Sequence, residues 1–391
     1  MRRWLYLALS ILLLVPVFWQ PRVQAGDLSS HFYNAWMAQL IETGRIQGLV
    51  IVSQTTDILF DLMLGGLFRL FGAEPALRMA VSVAVLVFVW GAFRFASVVG
   101  GRPAWHLLPC IAMLAYGWVF HMGFFNFYLS MGLCCWALAV TWEWHPHSTA
   151  IAGPLLVLAY LAHALPVVWT AGLLVYQWQV RRILPRNRVF VTAGWLLCMV
   201  LIQVVVGHTT SSHWSIHQIK MTTGADQVWV FDGKYYLVLI GLLIVWGMLF
   251  LDLLKDSGLP RVVSSVPFQF CVISAAAVFI LPTTILLPGF QHTLVDIAER
   301  MSLGVGICVC ALLAGARPRT FQHFAMMFVA VVFFGFLYRD EKTLNTREDR
   351  MDGVISRVSP SRPLPPVSPG QCGPMAVRNR KEGAPCGNIS L

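Results

Sequence analysis

Asp27 and His31 stand four residues apart in Gly26-Asp27-Leu28-Ser29-Ser30-His31, a spacing that puts both side chains on one face of a helix. A carboxylate and an imidazole so placed could act as general base and partner, or could share a divalent cation such as Mg or Mn. The same carboxylate also has a structural use, since Asp is a preferred N-cap and Asp27 stands where a helix starting at Leu28 needs one. A second group lies in Gln291-His292-Thr293-Leu294-Val295-Asp296-Ile297-Ala298-Glu299-Arg300. Here Asp296, Glu299 and Arg300 fall within one turn, and Arg300 could hold a lipid phosphate through its planar fork of donors. The alternative is an Asp296–Arg300 pair at i, i+4 that anchors the helix. A third group is spread over 208–234, with His208, His213, His217, Lys220, Asp226, Asp232 and Lys234. His213 and His217 share a helix face, but no H-E-x-x-H accompanies them, so solvated histidines are the simpler reading. Finally, His121 to Asn126 and the neighbourhood of His163 read as tight turns between apolar runs, where polar groups near a membrane face are often functional or satisfy loop backbone.

The elements that must position these residues are membrane helices. The chain has 391 residues, 57% hydrophobic and 12% charged, against the roughly 25% charge of soluble domains, and its mean hydropathy is +0.68. Apolar runs of spanning length recur along it, which excludes soluble enzymes, disordered hubs, coiled coils and disulfide-stapled secreted domains. The net charge of +10 does not indicate nucleic acid, because the arginines lie between apolar runs rather than in a basic stripe. The nine cysteines contain no C-x-x-C pair. Seven fall inside apolar runs as small hydrophobes, leaving Cys372 and Cys386 as the pair that could form a disulfide.

The fold expected is all-α and polytopic, with a first helix over 4–19 and further spans near 76–98, 104–120, 127–142, 149–162, 164–180, 189–207, 235–254, 262–282, 301–316 and 320–338, about eleven in all. Arg2, Arg3, Arg94, Arg102, Arg181, Arg182, Arg186, Arg188, Lys255, Arg261, Arg317 and Arg319 then fall on one side. By the positive-inside rule that side and the amino terminus are cytoplasmic, and the first loop and carboxyl tail are outside. Val23-Gln24-Ala25 satisfies the small-x-small pattern of a signal-peptidase site, yet the length of the first run and the proximity of Pro21 and Arg22 favour an uncleaved helix.

Two stretches of the first outer loop, 21–75, read as helices lying flat on the membrane. Leu28, Phe32, Ala35, Trp36 and Leu40 recur at helical spacing up to Gly44. Residues 57–71 are apolar, but Asp57, Asp61 and Arg69 would each cost up to about 3 kcal/mol at mid-membrane, so that segment is expected in the interface, ended by Gly72. The transmembrane unit is therefore 1–338. Residues 339–391, charged and then rich in Pro, Ser and Gly, are expected to form a disordered external tail.

In order and motif the first hundred residues resemble the GT-C superfamily of polytopic glycosyltransferases, among them protein mannosyltransferases and aminoarabinose transferases. The resemblance rests on a first span, Gly26-Asp27 with His31 just beyond it, a flat helix ending near Gly44, a second ending Leu67-Phe68-Arg69-Leu70-Phe71-Gly72, and Leu77-Arg78-Met79 opening the next span. It implies inverting transfer of a sugar from a polyprenyl-phosphate donor to a glycan, lipid or protein acceptor at the outer face of the membrane, the cytoplasmic membrane in a bacterial cell. Asp27 would engage the acceptor or a divalent metal with His31 beside it, and Arg300, Lys220 or Lys234 would hold the donor phosphate by location. Many members carry two adjacent acids in the first loop, whereas Asp27 is followed by Leu28. Many also end in a folded external domain, for which this tail is too short, as in a truncated member. The competing readings are a non-catalytic lipid-binding or scaffolding protein of the same architecture, or a transporter. Transporters place polar groups at mid-membrane, whereas here the ionisable residues gather near one face.

Overall fold

A long apolar run satisfies its backbone polar groups internally only as a helix, so the hydropathy pattern leads directly to the architecture. The computed structural model describes residues 2–49, 51, 54–143, 146–286 and 293–357. His292, Cys372 and Cys386 lie outside them. The helices are α1 (Arg2–Phe18), α2 (Leu28–Glu42), α3 (Leu59–Phe71), α4 (Ala73–Val99), α5 (Leu108–Ala115), α6 (Trp118–Met122), α7 (Phe125–Thr141), α8 (Pro146–Ala162), α9 (Ala164–Val180), α10 (Arg188–Thr209), α11 (Tyr235–Ser257), α12 (Leu259–Val263), α13 (Val266–Ile280), α14 (Ile297–Leu313) and α15 (Thr320–Ile355). Among the described residues four helical stretches, 73–99, 185–209, 235–257 and 320–355, are long and apolar enough to cross a membrane. The protein is thus a helical membrane-type chain.

The helices run back and forth between two ends. At one, Arg102 bonds Ala316, Arg181 bonds Trp142, Arg188 reaches Ser264 and Arg319 reaches Asp252; this is the basic end. At the other, Arg78 caps the carbonyls of Val17, Gln20 and Pro21, Asn126 meets the start of α3, and Thr283 meets Glu299. Between the ends α4 and α7 pack most closely. A Cβ on Gly91 would stand 2.5 Å from the Gly132 carbonyl oxygen, and one on Gly132 would stand 2.7 Å from the Phe88 Cα. Small residues let helix backbones approach where lipid removes the usual hydrophobic drive to associate.

The expected span over 104–120 is instead broken into a 3₁₀ turn at Trp105–Leu107, α5 and α6. The break has a partner: Gln227 Oε1 accepts from the Val119 N–H at 3.3 Å, and the Gln227 carbonyl stands 2.6 Å from where a Gly117 Cβ would be. The run expected over 262–282 is likewise divided, α12 ending before Ser264 and Ser265 capping α13. A small antiparallel sheet, β1 (Ser211–His213), β2 (Thr284–Leu286) and β3 (Thr293–Leu294), joins the loops before α11 and α14. Strands this short carry no periodicity by which a sequence would show them.

The boundary expected at 338 falls inside α15, which continues to Ile355. Its charged last third stays helical because it has partners. Glu341 accepts from Trp19 Nε1 at 2.6 Å, Asn345 both accepts from and donates to the Arg22 backbone, and the Arg22 guanidinium reaches Asp349 and Asp352 at 2.7 Å each. This end of α15 clasps residues 19–24.

Candidate functional site

The site is assembled at the end opposite the basic one, and the start of α7 is its hub. Gly123, at φ +83°, turns the chain between α6 and α7, and a Cβ there would lie 2.3 Å from the Asp27 nitrogen. This close approach lets the His121 and Met122 carbonyls accept from the N–H groups of Gly26 and Asp27 at 2.8 and 3.0 Å. The beginning of α2 is therefore docked by backbone on the α6–α7 corner.

Of the three residues that follow Gly123, Phe124 reaches α14, and Phe125 and Asn126 reach α3. The Arg300 guanidinium carbon lies 3.7 Å from the centre of the Phe124 ring, a stacked cation–π arrangement. Phe125 stacks on the buried Phe60 of α3 at 4.8 Å, and Phe60 meets the His31 ring edge-to-face at 5.3 Å. Asn126, buried at 3% exposure, accepts from the Phe60 N–H at 2.7 Å. It also donates to Asp61 Oδ2 at 2.7 Å and to the Asp57 carbonyl at 2.9 Å.

Asp61 in turn receives His31. Its Oδ1 lies 2.6 Å from His31 Nδ1, which fixes the proton on Nδ1 because a carboxylate can only accept. His31 Nε2 makes no hydrogen bond among the described residues. Burial alone would lower the His31 pKa, but the Asp61 hydrogen bond and the charges of Asp61, Asp57 and Asp27 outweigh it and hold it above its ordinary 6.5. Asp57 lines the cavity described next and is exposed at its surface, yet neighbouring protein partly desolvates its carboxyl. That desolvation, and next the charge of Asp61, raise its carboxyl above 3.8, with Arg300 and His31 opposing.

The cavity, about 580 Å³, lies between α2 and α3, and His31, Asp57, Asp61, Asn126, Glu42 and Arg69 are among its lining residues. Two backbone features flank it. Asp57 and Asp296 have φ of +63° and +56°, and they are the positive-φ residues other than glycine among those described. Non-glycine left-handed residues are uncommon and concentrate at functional sites. Both act on Arg300, whose charge also meets Asp27 and Glu299. Arg300 Nε is buried without a partner. No hydrogen bond or ion pair from its side chain occurs among the described residues, so the expected Asp296–Arg300 pair is replaced by the stack on Phe124. An arginine held by its face, with its N–H fork unengaged, suits an anion.

The remaining candidates are placed as follows. Asp27 stands at the N-cap position of α2, exposed, with no side-chain capping bond. It belongs to the cluster through its charge on His31, Asp57 and Arg300. His163 caps α9 by accepting from Leu165 and lies in the field of Arg300. His121 is buried against Glu341 at 3.2 Å and joins α6 to α15. Glu299 accepts from Thr283. Lys234 is engaged by Asp232 and Asp340, and Lys220 is exposed on a 3₁₀ turn at Ile216–Met221. No hydrogen bond or ion pair joins either lysine to Asp27, His31 or Arg300 among the described residues. Nor, among those residues, do three or more His, Cys, Asp or Glu stand together to hold a metal ion.

Asp57 and Asp61 are residues of this candidate site that sequence reasoning missed. The signal was present: they are four apart, as Asp27 and His31 are, but their charge was read only as a barrier to insertion. No family model, curated protein or solved structure matches this chain.

Proposed function

We propose that this protein is a membrane glycosyltransferase that moves a sugar from a polyprenyl-phosphate donor to a hydroxyl of a glycan, lipid or protein acceptor, with inversion. The observation that carries the reading is the line Asn126–Asp61–His31, ending in an unengaged Nε2, together with an Arg300 fork that has no partner in the same cluster of charges. The alternating helices are then eleven membrane passes. The arginine-rich end is cytoplasmic by the positive-inside rule, and the amino terminus lies with it. Helices α2 and α3 rest in the outer interface, and the end of α15 projects outside.

The chemistry requires a base and a charge sink. The acceptor hydroxyl passes its proton to His31 Nε2 while Asp61 holds the Nδ1–H, which keeps the ring in the accepting tautomer. The acceptor oxygen bonds the anomeric carbon as that carbon's bond to the phosphate oxygen breaks, and the electron pair leaves on the polyprenyl phosphate. Arg300 neutralises the charge that develops there. Asp27 and Asp57 maintain the basicity of His31 and offer acceptors to neighbouring hydroxyls. No step is routed through a metal.

The test is transfer of label from a series of polyprenyl-phosphate hexoses and pentoses by the purified full chain in nanodiscs. Turnover that falls about 100-fold or more in His31→Ala, and also falls in Asp27→Ala, is the expected result. Turnover indifferent to both variants would sink the reading. Saturable donor binding without any turnover would instead favour the non-catalytic lipid-binding alternative.

A further inference from the structure

A cavity of about 970 Å³ lies away from this site, at the basic end, between α1, α4 and α7. Its walls are the rings of Tyr6, Trp90, Phe93 and Trp136, and Arg94 and Arg102 stand on its rim. Trp90 donates its indole N–H to Ser10 Oγ and Trp136 donates to the Val87 carbonyl. Both indole N–H groups are therefore already engaged, and the wall is mainly apolar, with Arg94, Ser97, Arg102 and Glu143 as its polar members. Tyr6 packs against Trp90 and Trp105 at 5.0 and 5.5 Å, which braces the α1 side of the opening. The outer faces of α1 carry Trp4, Leu5, Leu7 and Ile11, all exposed and apolar, so the opening sits at hydrocarbon depth.

We propose that this groove holds one anionic phospholipid, its phosphate on Arg94 and Arg102 and an acyl chain along the Trp90 and Trp136 faces. Charge and shape both point to that occupant. Arg94 is exposed and makes no hydrogen bond among the described residues, while Arg102 uses one arm on the Ala316 carbonyl and keeps its other donors. Glu143, also on the rim, is not a free charge and lies in the field of Arg181. From Arg94 to Trp90 the α4 lining rises roughly 6 Å, so the wall covers the first part of an acyl chain and the remainder lies in the ~15 Å hydrocarbon of one leaflet. An arginine pair prefers a phosphodiester bearing net negative charge over one neutralised by its own choline. The inference rests on the chain being membrane-embedded and is independent of sugar transfer.

The experiment is native mass spectrometry of the full chain in detergent, titrated with phosphatidylglycerol or phosphatidylcholine of identical acyl chains, beside labelling with a photoreactive phosphatidylglycerol. One bound phosphatidylglycerol is expected, preferred at least about tenfold over phosphatidylcholine, with label on peptides of α4 and α7. Arg94→Gln with Arg102→Gln should reduce the preference at least fivefold. Ala139→Phe, which fills the groove and leaves the charges in place, should reduce occupancy by both lipids. Equal binding of the two lipids by the unaltered chain, label confined to other helices, or a preference that survives both variants would overturn the proposal. The unaltered-chain arms decide it even where a variant fails to fold.

Discussion

Helices α4 and α7, and helices α2 and α3, are both pairs of apolar helices in contact, yet they are joined by opposite means. The first pair meets backbone to backbone through Gly91 and Gly132, with Phe88 stacked on Tyr128 at 4.5 Å. The second stands apart around a cavity and is latched at points: His31 to Asp61, Phe32 against Phe68 at 5.7 Å, and Arg69 to Glu42. Contact between backbones leaves no second arrangement, whereas a few polar latches around an empty space can part and close again. The close-packed pair leads to the hub residues Phe124–Asn126, and the point-latched pair supplies His31 and Asp61. The candidate site is thus built where a latched layer meets a close-packed post.

The largest effect expected is from breaking the post. Gly132→Leu drives a side chain into the Phe88 backbone, which cannot yield as a side-chain tip could. We expect a loss of about 3 kcal/mol or more, read as failure to recover monodisperse protein, whereas Gly153→Leu, with open space around it, should be near neutral. Next comes the latch that carries chemistry. His31→Ala should lower transfer by about 10² to 10⁴ with little change in thermal unfolding; equal collapse of both would show a merely structural histidine.

The pH response separates the two functions of His31. As a base it works deprotonated, so activity should rise with pH through a value above 6.5, where the neighbouring carboxylates place it. The stability given by the His31–Asp61 pair runs the other way. A folded pKa raised above the unfolded one makes it fully present below about pH 6.5, and it fades as pH climbs past the folded value. Asp57→Asn removes one of the charges that raise His31, so the acid limb of the activity profile should move to lower pH. A limb that stays fixed would dissociate Asp57 from the histidine. The smallest effect belongs to the Arg69–Glu42 latch, exposed at 55% and 42%. Glu42→Gln should change stability by less than about 1 kcal/mol, and any larger change in donor affinity would mark it as part of the cavity's closing motion.

Much of the scaffold was legible because lipid imposes one solution on an apolar run. As helices, the run expected over 164–180 is α9 to the residue, and those over 127–142 and 235–254 are α7 and α11 within a few residues. Helices beginning near Leu28 and ending at Phe71 were legible from spacing and from Gly72, which takes φ +80°. What the sequence could not display was partnership. His31 finds Asp61 thirty residues on, Asp61 finds Asn126 sixty-five further, and Arg300 comes from another helix altogether. Hydropathy sees charge only as a penalty, so Asp57 and Asp61 registered as a cost of inserting 57–71 rather than as partners of His31 and Asn126. The charged residues 339–355 misled for the same reason, since a helix leaving lipid shows no apolar period even when, as at Glu341 and Asn345, it is held by specific bonds.

That clasp has a temporal meaning. The Trp19–Glu341 bond joins residues 322 apart in sequence, so the segment leading into Asp27 and His31 is secured by α15, the last of the described helices to be synthesised. At about 5 to 20 residues per second, the first helix waits roughly 16 to 64 s for its fastening. During that interval the segment before α2 has its bonds from Arg78 and from the α6–α7 corner but not those from α15, so this end of the protein is completed only when α15 has been made. A chain released before residue 341 would contain the post and the latches and still lack the strap that holds them in register.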